Sequence, residues 1–156
     1  MTLAQKLTRL KKFNEDKKEP DWEAYKELWI ASVQEIQNTI VHKWFHDYEK
    51  NGLMSFALIP TKRNEPYIGE YLTTVMEITF PDNKSIILVP VAAVTSEYDG
   101  KLEFYMRGDI GDKVNILRKL LPDNKYEWYI GKSYDVKDHV KLSKSHIERL
   151  IEEWLS

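Results

Sequence analysis

The stretch DWEAYKELWIASVQEIQNTIVHKWFHDYEKNG, residues 21–52, decides the reading of this chain. Within it Trp22, Tyr25, Trp29, Val33, Ile36, Ile40, Trp44 and Tyr48 follow at spacings of 3, 4, 4, 3, 4, 4 and 4. Apolar residues recurring every three to four positions mark one face of a helix. Asp21 stands where a side-chain oxygen can cap the first free amides. Asn51-Gly52 supplies the stop, since Gly takes the left-handed C-terminal position without a Cβ penalty. The spacing therefore predicts one long helix over 21–51, roughly 45 Å at ~1.5 Å per residue.

Working outward, Leu3, Leu7 and Leu10 share a face of a shorter helix over 3–16, with Thr2 as its cap. The charged run ending in Pro20 closes this N-terminal arm, residues 1–20. After Gly52 the apolar period changes from 3.6 to 2. Leu53 to Ile59 forms a β-rich run closed by Pro60, and 61–66 reads as a loop. Leu72, Thr74, Met76, Ile78 and Phe80 alternate with Thr73, Val75, Glu77 and Thr79. Ile86 to Val94 is apolar on both faces, which suits a central strand. Leu102, Phe104 and Met106 alternate with polar neighbours, as do Tyr126, Trp128 and Ile130. Residues 114–121 read as a strand or a short helix. The tetrapeptide Pro-Asp-Asn-Lys occurs at 81–84 and again at 122–125, turn chemistry at both places. Ser145 and Glu148 form a capping box ahead of Ile147, Leu150, Ile151, Trp154 and Leu155. The expected fold is α+β: two N-terminal helices, an antiparallel meander of five to six strands over 53–140, and a helix over 145–156 packed on the sheet.

The chain has 156 residues, enough for one domain, and no Gly- or Ser-rich linker divides it. Hydrophobic residues make up 42% and charged residues 31%, the balance of a water-soluble globular chain. A formal charge of -2 argues against general nucleic-acid binding, which favours a basic excess. The absence of cysteine excludes disulfides, thiol nucleophiles and Cys-ligated metals. The opening residues carry no apolar signal segment. The longest mostly apolar run, 86–94, falls far short of the ~20 residues of a membrane span. The expectation is a cytoplasmic protein with no membrane partner and no cofactor.

His42 and His46, four apart, share a helical face with Glu49, a spacing that can chelate a metal. They lie roughly 200° round the helix from the apolar stripe, at ~100° per residue, and so point to water. The expected metal site is therefore none. Pro122-Asp123 followed by Asp135-Val136-Lys137 resembles the pattern of the PD-(D/E)xK nuclease superfamily. That resemblance implies Asp123 and Asp135 as Mg²⁺ ligands, Lys137 as the basic partner, and a mixed, partly parallel core. The turn reading of Pro122-Asp123 stands beside it.

The phosphate-binding, nucleophile-elbow and zincin motifs are all absent from the sequence. The leading expectation is a binding module without catalysis, acting through protein–protein association. A 45 Å helix overhangs a strand of five to six residues, which spans only ~17–20 Å. Trp22, Tyr25, Trp29 and Trp44 are then the anchors of a homodimer or of a protein partner, because Trp and Tyr dominate interface energetics. The metal-dependent nuclease is the alternative. A small-ligand pocket lined by Tyr105, Trp128 and Tyr129 is the third reading.

Overall fold

The structure, a computed structural model, describes residues 2–16, 21–132 and 138–156. Its elements run α1 (Leu3–Asp16), α2 (Trp22–Asn38), a π-helical segment (Thr39–Trp44), α3 (His46–Lys50), seven strands and α4 (Lys144–Leu155). The strands are β1 (Ser55–Glu65), β2 (Gly69–Thr79), β3 (Ser85–Ala92), β4 (Lys101–Met106), β5 (Val114–Leu120), β6 (Tyr126–Gly131) and β7 (Val140–Lys141). They lie in sequence order in one sheet, every pair antiparallel. This is the expected α+β meander, with the two-residue β7 as the additional strand. The stretch 114–121, open between strand and helix from sequence, is strand β5. The partly parallel core implied by the nuclease resemblance is not what the described residues form.

The long helix of the sequence reading is three pieces. Asp21 caps α2 as expected, its Oδ1 accepting from the Ala24 amide at 2.9 Å. Past Ile36 the apolar spacings become 4, 4 and 4. In an α-helix each such step drifts about 40° round the axis. A wider π turn cancels that drift, and the Phe45 amide donates to the Ile40 carbonyl at 2.9 Å, five residues back. Phe45 then leaves helical geometry at φ -116°, ψ 14°. The bend turns Phe45 fully inward and leaves Trp44 half-buried. Gly52, at φ +71°, ends the unit as read.

The predicted overhang disappears because the first hairpin is longer than expected. β1 runs through Pro60 and through the stretch read as a loop, and pairs with β2 without interruption from Ser55↔Thr79 to Glu65↔Gly69. Pro60 is tolerated because β1 is an edge strand. Eleven residues span about 37 Å at ~3.4 Å each, more than the ~25 Å of the 17-residue α2.

β2 pairs with β3 only from Met76↔Leu88 to Thr79↔Ser85. Pro90, which has no N–H to give a ladder, sits just beyond. The β1–β2 ribbon continues alone, and two-stranded ribbons twist more strongly than sheets. Side chains then replace the lost ladder bonds. Arg63 donates to the Val91 carbonyl, and the Glu65 carboxylate accepts from the Ala93 amide at 2.8 Å and from the Tyr71 hydroxyl. The ribbon tip covers the first turns of α2. Tyr67 stacks on Trp22 at 5.4 Å, and Trp29 Nε1 donates to the Tyr71 hydroxyl at 3.2 Å.

The core lies between α2, the π segment and α4 on one side and the sheet on the other. Trp29, Val33, Ile40, Met76, Ile78, Ile86, Leu88, Leu102, Phe104, Ile116 and Ile147 are wholly buried in it. Helix α4 starts earlier than the capping box suggested. Ser143 caps it, its Oγ accepting from the His146 amide at 3.3 Å, while Glu148 accepts from the Tyr48 hydroxyl at 2.8 Å. The two Pro-Asp-Asn-Lys turns differ. At 81–84 only Asn83 has positive φ, whereas at 122–125 Asp123 and Asn124 both do.

Candidate functional site

The polar centre of the fold is Arg118, in the middle of β5 and wholly buried. Its Nε donates to the Asp99 carbonyl at 2.8 Å and its Nη1 to Ser32 Oγ at 3.0 Å. The guanidinium lies 4.9 Å from the Trp29 ring centre and 5.5 Å from that of Tyr25. The Asp99 carboxylate accepts from the Leu120 amide at 2.8 Å. The Tyr25 hydroxyl donates to the Ala93 carbonyl at 2.7 Å, and burial pushes its pKa up to about 12. Burial likewise raises the Tyr71 pKa, with the Glu65 carboxylate acting the same way. Such a network fixes the seat of α2 on the sheet. Its members hydrogen-bond to one another inside the protein.

The most suggestive surface borders this network, since Trp128 is the cross-strand partner of Arg118. An open cleft of about 400 Å³ runs between α2, the π segment and the β6–β7 edge. Its walls carry the rings of Trp44, Tyr126 and Trp128, with Glu35 beside them. Trp44 ends the π segment, whose wider turn holds it over Ile40 on the sheet side, half-buried against the core. Tyr126 and Trp128 stand on alternate positions of β6 and so face the same side. Their rings meet edge-on at 6.1 Å, and Trp128 rests on Trp29 at 6.3 Å. The Tyr126 pKa is raised, first by burial and then by its hydrogen bond to the Glu35 carboxylate. Glu127 accepts from the Tyr129 hydroxyl at 2.7 Å and pairs with Lys141 at 3.2 Å. The two carboxylates of the cleft, Glu35 and Glu127, are thus both engaged, and ring surface stands beside them.

The aromatic residues singled out from sequence are divided by the fold. Trp29 is wholly buried and Tyr25 is 9% exposed, both inside this one chain. Both rings are buried within the chain. Trp22 is half-buried under Tyr67. Trp44 lines the cleft. Trp128 joins it there, but Tyr129 follows in the strand and faces the other side, against Tyr98 at 6.2 Å. Tyr105 also lies on that far face, since its strand neighbour Phe104 is buried in the core. Tyr105 and Tyr129 thus lie on the face opposite Trp128.

His42, His46 and Glu49 are exposed. Among the described residues no group of three His, Asp or Glu side chains converges. Asp123 sits in the exposed turn before β6, while Asp135 and Lys137 lie outside the described residues. Of the described helices, none is long and apolar enough to cross a membrane. Sequence reasoning missed Arg118, Glu65 and Glu35. A lone charged residue in a strand or helix reads as solvent-facing until its partners are known. Comparison of the chain with protein-family models, with curated proteins and with solved structures returned no match.

Proposed function

We propose that this chain is a non-catalytic binding module, and that the cleft between the π segment and β6 takes an aromatic or aliphatic side chain from a protein partner. The observation behind this is the set of three rings, Trp44, Tyr126 and Trp128, around an open cleft whose two carboxylates are already engaged. Trp and Tyr in such pockets carry much of the energy of protein interfaces. Acid–base catalysis needs a group with spare hydrogen-bonding capacity held within reach of substrate, and Glu35 and Glu127 are both engaged.

The test is a titration of the isotope-labelled chain with N-acetyl-tryptophanamide and N-acetyl-leucinamide, followed by amide chemical shifts. Shifts confined to Thr39, Trp44, Trp128 and Leu142, lost in Trp44→Ala while the fold persists, support the reading. Shifts scattered elsewhere, or none at millimolar probe, sink it.

A further inference from the structure

Among the described residues, helix α1 leaves its apolar face uncovered. Leu3, Leu7 and Leu10 form its stripe and are exposed at 72%, 55% and 54%. The body holds the helix from elsewhere: Arg9 donates to the Ser96 carbonyl at 2.5 Å, beside a small cavity lined by Lys6, Arg9, Leu10 and Tyr67. A 14-residue helix is marginal in water unless its apolar face is packed. The stripe therefore calls for a surface that the described residues do not supply.

Charge says which surface. Residues 2–12 contain Lys6, Arg9, Lys11 and Lys12 and no acidic residue, in a chain whose net charge is -2. At ~100° per residue, Lys6 and Lys11 fall on the two borders of the leucine stripe, with Arg9 and Lys12 on the opposite arc. A second copy of α1 would set Lys6 and Lys11 against like charges, which opposes self-pairing. A protein groove that grips the stripe gains little from cations on the far arc. A diffuse negative surface gains from Lys6 on the border and from Lys12 on the far arc alike, because the helix is only ~10–12 Å across and the screening length is ~8 Å at physiological salt.

We infer that α1 docks in the plane of an anionic lipid surface, leucines toward the acyl boundary and lysines among the headgroups. Such docking needs no spanning segment. It is independent of the aromatic cleft, which shares no lining residue with the cavity beside α1, and each can fail without the other.

The experiment is co-sedimentation of the full chain with vesicles of phosphatidylcholine alone and of phosphatidylcholine mixed with phosphatidylserine. The chain should pellet with the mixed vesicles and not with the neutral ones, and added salt should release it. Leu7→Glu, and separately the pair Lys6→Glu and Lys12→Glu, should each lower the bound fraction at least ~10-fold. These side chains are exposed, so the melting temperature should hold and separates lost docking from lost folding. Equal recovery on both vesicle types overturns the inference. So does binding that Leu7→Glu leaves intact and soluble polyglutamate competes away, which is attraction to an acidic polymer without insertion.

Discussion

Gly100→Ala puts the packing of α2 on the sheet to a direct test. Gly100 has φ +146°, and a Cβ built there falls 2.2 Å from Trp29 Cζ3, 2.8 Å from Cε3 and 2.9 Å from Cη2. The Trp29 ring cannot give way. It is wholly buried, tied to the Tyr71 hydroxyl, and backed by the Arg118 guanidinium. Overpacking a rigid core costs about 1–3 kcal/mol, and the positive φ costs an alanine about 1–2 kcal/mol more. The expected loss of about 2–5 kcal/mol corresponds to a fall in Tm of about 4–20 °C for a chain of this size. Gly52→Ala is the control. It also has positive φ, +71°, but nothing lies within 4 Å of its Cβ, so only the backbone cost of about 1–2 kcal/mol remains. Urea denaturation of both variants isolates the steric contribution as their difference. Trp29→Phe removes the six-membered ring that the new methyl meets. In that background Gly100→Ala should cost about 1–3 kcal/mol less than in the parent, a coupling between touching residues. Equal losses at Gly100 and Gly52, or strict additivity with Trp29→Phe, would refute the packing described here.

Three further outcomes follow from the same network and from the unused motif. Tyr25 is neutral in the fold with its pKa pushed up to about 12, against about 10 in the unfolded chain. The folded state thus holds the proton more tightly, and its stability should be complete below pH 10 and fall by about 2–3 kcal/mol as pH rises toward 12. Urea melts at pH 8 and pH 11.5 measure this, and Tyr25→Phe should flatten that part of the profile; an unchanged slope contradicts the buried neutral hydroxyl. Glu65→Ala leaves the Ala93 amide and the Tyr71 hydroxyl without their acceptor, at about 2–4 kcal/mol. Hydrogen exchange at Ala93 should accelerate more than at Met76, which remains in the β2–β3 ladder, and uniform acceleration counts against a local clip. DNA incubated with the chain and Mg²⁺ should stay intact; cleavage that vanishes in both Asp123→Ala and Lys137→Ala would restore the nuclease reading.

The sequence by itself determined the elements whose cause is local. The helix at Asp21, the stop at Gly52, the strand at Tyr126 and the closing helix depend on caps, turn residues and apolar period, all of which act within a few residues. The antiparallel meander follows from short turns between alternating segments, because neighbouring strands need no long crossover. Even the π turn left a trace, in the unbroken run of four-residue spacings from Ile36 to Tyr48, although that run also reads as plain helix. Tertiary structure decided the rest. Whether Trp29 is core or surface depended on a hairpin reaching past Pro60, and an edge strand tolerates that proline where a central one does not. Pro90 ended one ladder, and Arg63 and Glu65 replaced it with contacts to Val91 and Ala93, 28 residues away in both cases. Arg118 looks like any strand arginine until Ser32, Asp99 and Trp29 close round it. Trp44 and Trp128, 84 positions apart in the chain, share a cleft only because the π segment turns one ring toward the strand that carries the other. Local patterns place a residue on a face; which distant element covers that face is settled by the packing of the whole chain.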